Sequence, residues 1–247
     1  MRLGFCFLIY DKIFNESIWK HYFKTIQATG HQYHLYVHAK YPQLFTSQLQ
    51  ELTLLKSIPT KYADISLVRA CLTLLSEAYN DNCDYCFLLS GDTLPLTHFK
   101  HILPYLDRPI FVLQNKQLIN QSKREFNLNN YRYLEKYQCI EFKDFEKQHM
   151  FFGINQSSLK QVLAHDVTRL FEKFYAPDEY YFINVIKILK IPYYNGPYIL
   201  ANKQNTIKTK AIVWIINENS IETLRKIPND YPKFNSGYWF IRKVKFP

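Results

Sequence analysis

The fold class this chain of 247 residues predicts is α/β, a central and largely parallel sheet flanked by helices, and three observations carry it. Short apolar runs rich in β-branched and aromatic residues alternate with segments whose apolar residues recur at helical spacing. No internal repeat, low-complexity linker or shift of composition marks a second domain, so one domain over 1–247 is expected. Hydrophobic residues at 47% and charged residues at 21% give a globular profile with enough apolar side chains for a real core.

The elements follow in order. RLGFCFLIY (2–10) reads as a buried first strand and SIWKHYFKTIQATG (17–30) as an amphipathic helix ending at Gly30. YHLYVHA (33–39) is a second strand, and a helical patch is expected from Phe45 to Leu55. LVRACLTLLSEAYN carries apolar residues at helical spacing, with Ser66 as its N-cap. CDYCFLLSG (83–91) is a strand ending in a glycine turn, LTHFKHILPYL a short helix and IFVLQ (110–114) a strand. Residues 115–138 are polar, basic and aromatic without clean periodicity, the pattern of a functional or mobile loop. HMFFGIN (149–155) is a strand, SSLKQVLAHD a helix and YAPDEYYFINVIKIL a further helix; IPYYNGPYIL, KAIVWII, SIETLRKI and the tail complete the chain.

Composition narrows the partners. A formal charge of +10 calls for something anionic: nucleic acid, a membrane surface or a phosphorylated substrate. Aromatics reach 17%, which suits a sugar-binding surface and equally an AT-rich genome. RLGFCFLIY is too short for a signal peptide or anchor, and five cysteines, an odd number, argue for a reducing compartment. A cytoplasmic protein, peripheral at the inner membrane face at most, is expected. Cys83 and Cys86 form a CxxC, but Cys86 opens a strand and no second pair exists, so they read as incidental thiols.

In open α/β sheets, ligands bind beyond the carboxyl ends of the strands. That directs attention to VHAK after the second strand and SGDTLPL after the fourth. Neither GxGxxG nor GxxxxGK[ST] occurs, so a glycine-rich phosphate loop is not what would hold a nucleotide. A second feature is the acid pair Asp178–Glu179, directly after Pro177 and hemmed by Tyr175, Tyr180, Tyr181 and Phe182. Charges are rarely set against so much apolar surface unless paired or used. Read alone, the pair decorates a helix start, with Pro177 in the first turn and the acids favoured by the helix dipole.

Four stretches in one order carry a resemblance: YVHAK (36–40), YADISLVRA (62–70), FLLSGDTLPL (87–96) and YAPDEYYFINVI (175–186). Together they resemble the Core-2/I-branching enzymes, the β-1,6-N-acetylglucosaminyltransferase family (glycosyltransferase family 14). SGDTLPL is similar to that family's Ser-Gly-x-Asp-x-Pro element with Asp92 one place early, and Ala176 replaces the family's Ser. HMFFGIN and YWFIRKVKF resemble its preceding strand and its closing basic segment.

The resemblance implies a GT-A-like fold and an inverting transfer from a UDP-sugar to a glycan hydroxyl, with N-acetylglucosamine the commonest donor sugar. It implies no cofactor and no metal; independently, the sequence contains no D-x-D. By resemblance Glu179 is the general base, with Asp178 and Arg69 in orienting roles. His38, Tyr62 and Asp92 fall at donor-binding positions. Lys210 and Lys243 would grip the diphosphate, with Lys208 and Arg242 as alternatives. Phe151, Phe152, Tyr180 and Tyr181 are candidates for the acceptor side. A lipid-linked or cell-surface polysaccharide acceptor is expected, with no nucleic acid. The rival readings are a basic, aromatic-rich nucleic-acid-binding protein and a glycan-binding module without catalysis.

Overall fold

The computed structural model describes residues 1–95, 98–113, 132, 134, 144–196, 199–201 and 239–242. Strand β1 (Arg2–Ile9) leads through helix α1 (Glu16–Ala28) to β2 (Gln32–Ala39), then β3 (Leu52–Leu54), helix α2 (Ile65–Asn80) and β4 (Tyr85–Ser90). Next come β5 (Thr93–Pro95), β6 (Ile110–Phe111) and β7 (Gly153–Asn155). Helices α3 (Gln156–Ala164), α4 (Thr168–Phe171) and α5 (Tyr181–Ile188) precede β8 (Tyr194–Asn195), β9 (Ile199–Ala201) and β10 (Phe240–Arg242).

Among the described residues, seven strands form one sheet in the order β3-β2-β1-β4-β7-β6-β8. β3, β2, β1 and β4 run parallel, whereas β7 is antiparallel to both its neighbours. A second, three-stranded sheet, β5-β10-β9, lies beyond β4 in the chain. Strands sandwiched between layers read as continuous apolar runs because both faces are covered. β4 obeys this fully, being buried at all six positions. One aromatic cluster fills the space under α1: Phe5 stacks on Phe87 at 4.9 Å, and Phe23 and Trp19 stack at 5.4 Å.

Several expectations need correction. The helical patch from Phe45 to Leu55 is absent; a 3₁₀ turn at Pro42–Leu44 leads instead to β3. Leu52–Leu54 satisfies the open edge of β2, a tertiary demand that outweighs local helical spacing. The cap of α2 is Asp64, not Ser66: its carboxylate accepts the Ser66 amide at 2.9 Å. LTHFKHILPYL becomes two 3₁₀ turns, Phe99–His101 and Leu103–Tyr105, the second with Pro104 near its start. The long helix from Tyr175 is broken: Pro177–Glu179 is a separate 3₁₀ turn, and Tyr180 leaves helical geometry before α5 begins. KAIVWII and SIETLRKI lie outside the described residues.

What positions a site is the registry of the strand ends. Ile9 pairs with Ala39, and Leu8 pairs with Ser90, so β1, β2 and β4 stop at one level. The chain turns away there, and a recess opens beyond them.

Candidate active site

That recess is a cavity of about 380 Å³. Its walls come from the residues just past β1 (Tyr10, Asp11, Lys12), past β2 (Lys40) and past β4 (Gly91, Asp92). Thr60 to Ala63 ahead of α2, Met150 and Phe151 ahead of β7, and the turn carrying Ala176, Asp178 and Glu179 close it. Two of these segments meet at left-handed alanines: Ala63 has φ 55°, Ala176 has φ 53°, and the Ala176 amide donates to the Ala63 carbonyl at 3.3 Å. Each non-glycine residue held so costs on the order of 1 kcal/mol, and such strain concentrates at functional sites.

The two acids of the turn have different surroundings. Asp178 is buried at 6% exposure against α2, close enough that its charge adds to burial in raising the Cys71 thiol above its usual range. Glu179 is half-buried, with Oε2 2.7 Å from Lys147 Nζ. Its main chain is tied as well: the Glu179 carbonyl accepts the Gln148 amide at 2.9 Å, and its own amide donates to the Ala176 carbonyl at 3.0 Å. Across the cavity Asp92 accepts from Ser90 Oγ at 2.5 Å, and Ser90 Oγ also meets Thr93 Oγ1 at 2.9 Å. The cavity thus joins four carboxylates (Asp11, Asp92, Asp178, Glu179) with the cations Lys12, Lys40 and Lys61. It can hold a partly anionic ligand beside a fixed carboxylate.

The family model for the Core-2/I-branching enzymes matches residues 3–206, most of the chain. The chain belongs to that family. Family membership makes it a glycosyltransferase, and all four motif stretches fall inside the matched residues. No curated protein matches it by sequence. Of the 52 matching chains of solved structures, one is the galactosyltransferase LgtC in complex with donor and acceptor sugar analogs, 12% identical. That match has a TM-score of 0.43 and covers 86% of this chain and 82% of the other.

Within this Core-2/I-branching chain the motif residues do not all converge. Glu179, Asp178, Asp92, Tyr62 and Phe151 line the cavity together. Tyr62 is the most exposed of these, at 78% of its surface. His38 does not line the cavity: its side chain is fully buried, and Nε2 accepts the Ile58 amide at 3.0 Å. That bond requires a neutral ring with the proton on Nδ1, and burial holds the imidazole below its usual range. His38 therefore fixes the segment leading to Tyr62.

Arg69 pairs with Glu172 at 2.6 Å on the surface of α2, away from the cavity. Phe152 and Tyr181 are core residues; Phe152 stacks on Phe111 at 5.0 Å and Tyr181 meets Phe171 edge-on at 5.3 Å. Tyr180 is buried beside the acid turn, stacked on Phe145 at 5.5 Å. Arg242 contributes its main chain to β10, in register with Thr93 and one residue beyond Asp92. Lys208, Lys210 and Lys243 lie outside the described residues.

Sequence reasoning assigned no role to Lys147, Tyr10, Lys12, Lys40 or Lys61, though it pointed to the stretch VHAK that contains Lys40. For the last four a signal existed, since each directly follows a strand or precedes α2 at the end where ligands bind. Lys40 bridges two tyrosine faces, 5.5 Å from the Tyr10 ring and 5.7 Å from that of Tyr41.

Proposed function

We propose that this glycosyltransferase is inverting and metal-independent, moving a sugar from a UDP-sugar to a glycan hydroxyl with Glu179 as general base. The observation that carries the reading is the place of Glu179: a carboxylate in the wall of a cavity beyond the parallel strand ends, within the family-matched segment. The acceptor oxygen attacks the anomeric carbon as its proton passes to the Glu179 carboxylate. The bond from that carbon to the diphosphate breaks, and the nucleoside diphosphate leaves with the electron pair.

The absence of D-x-D supports a reaction in which side-chain cations, not a metal, meet the developing charge. Lys210 and Lys243 are proposed for that role, with Lys208 and Arg242 as alternatives. Asp92 and Tyr62 serve the donor sugar and base, and Phe151 the acceptor side. N-acetylglucosamine is the proposed donor sugar. A lipid-linked or cell-surface glycan is the proposed acceptor, reached from the cytoplasm at an anionic membrane face that suits the +10 charge. No described helix is long and apolar enough to cross a membrane.

The test is release of UDP from UDP-N-acetylglucosamine, UDP-xylose and UDP-glucuronic acid. Glu179→Gln should lower turnover by about 10²- to 10⁴-fold while UDP binding persists. An unchanged rate overturns the base assignment. Turnover that EDTA abolishes and Mn²⁺ restores overturns the metal-free reading.

A further inference from the structure

We infer that Lys147 is a positioning residue for the general base, holding Glu179 by one carboxylate oxygen so that the other faces the acceptor proton. The inference rests on the reading of Glu179 as base. Lys147 Nζ sits 2.7 Å from Glu179 Oε2, with the lysine side chain 17% exposed and the glutamate 28% exposed. A surface ion pair is worth little because water and entropy compete with it; this pair is largely withdrawn from water, where geometry is kept. A carboxylate left to itself turns about its last torsion, which is broad and roughly two-fold. An ammonium bonded to Oε2 removes that freedom and leaves Oε1 for proton transfer.

The segment carrying Lys147 is itself locked on both sides. Asn184, fully buried on α5, takes the Glu146 amide on Oδ1 at 3.0 Å and returns Nδ2 to the Glu146 carbonyl at 2.9 Å. The same Nδ2 reaches the Tyr180 carbonyl at 2.7 Å, so one amide group joins the lysine's segment to the residue after the base. Gln148 binds the Glu179 carbonyl on one side and bridges to Leu113 on the other, while the His149 amide meets the Val112 carbonyl at 2.8 Å. Lys147 Nζ also lies 5.6 Å from the centroid of the Tyr180 ring. Such a clamp on a turn next to a cavity fits a base whose angle matters. Misplacement of a reacting group by about 1 Å can cost 10²-fold in rate.

The experiment is a double-mutant cycle on UDP release from the UDP-sugar that turns over, with melting midpoints and UDP binding as folding controls. Lys147→Met should lower kcat by about tenfold to 100-fold with KM for the UDP-sugar within about threefold. Lys147→Arg should recover most of that loss. In the Glu179→Gln background, Lys147→Met should have no further effect, because the lysine acts only through the glutamate. Wild-type kcat in Lys147→Met alongside a dead Glu179→Gln overturns the inference and leaves the base standing. Additive losses, or a loss confined to KM, also overturn it. An active Glu179→Gln overturns the base reading itself.

Discussion

The two walls of the cavity are built on different principles. One wall follows from main-chain registry: β1, β2 and β4 run parallel and stop level, so Tyr10, Lys40, Gly91 and Asp92 arrive wherever the ladder ends. The other wall, carrying Asp178 and Glu179, the latter paired with Lys147, has little ladder beneath it. It is assembled from a 3₁₀ turn, a left-handed alanine and one buried asparagine that stands in for a strand partner. The strand wall therefore resists changes that leave the backbone alone, while the acid wall depends on single side chains.

That contrast is testable from the strongest effect downward. In the strand wall only an added Cβ should be ruinous. Gly91 lies against the Lys12 carbonyl, and a Cβ there also meets Ile9 at 3.1 Å. Gly91→Ala should cost about 3 kcal/mol by forcing two backbones apart, read by denaturant melting. In the acid wall, Asn184→Ala should approach that cost without touching the backbone, about 2–3 kcal/mol, since it removes three side-chain hydrogen bonds to the main chains of Glu146 and Tyr180. Its turnover should fall with it. A drop under 1 kcal/mol would erase the distinction between the walls.

A cap and a buried histidine give smaller effects. Asp64→Ala should cost about 1 kcal/mol by releasing the Ser66 amide. Its bonds to Ser66 hold the Asp64 carboxyl below the usual range, so the cap's contribution is present above the unfolded value near 3.9 and fades as pH falls further. His38 has the opposite chemistry and the same direction. Its folded value is depressed by burial, so the unfolded chain takes up a proton first, near pH 6.5, and stability falls as the medium is acidified below that. Melting between pH 7 and 5 should show a shallower decline in His38→Gln, which does not titrate. The smallest effect is expected from Ala176→Gly, a gain of up to about 1 kcal/mol as left-handed strain is relieved, partly offset by chain entropy.

The strand wall was legible in the sequence because periodicity and the strand-end rule both act through the backbone. RLGFCFLIY, YHLYVHA and CDYCFLLSG each formed strands near their expected bounds. The same reasoning failed at Leu52–Leu54, where sheet completion decides, and at Tyr175–Leu189, where Tyr180 breaks the helix. His38 shows why a strand end is ambiguous: Leu35 to Ala39 are buried on both faces, so no alternation reveals which side meets the cavity. Glu179, which lines the cavity, was singled out through its motif. Lys147 carries no local signal, because its meaning comes from Asn184, 37 positions away and brought to it only by folding.

The register of β10 has a consequence for how such a chain is made. Phe240 stacks on Trp19 at 6.1 Å inside the first aromatic cluster, and the same strand pairs with β5 just past Asp92. A ribosome delivers β1, α1 and β4 long before it delivers Phe240. Until it does, β5 lacks its neighbour and the cluster keeps a gap the size of a phenyl ring. The strand that carries Phe240 thus completes the aromatic cluster and the pairing beside Asp92 together, and a chain cut short of it is left with an unfinished core as well as an unpaired β5.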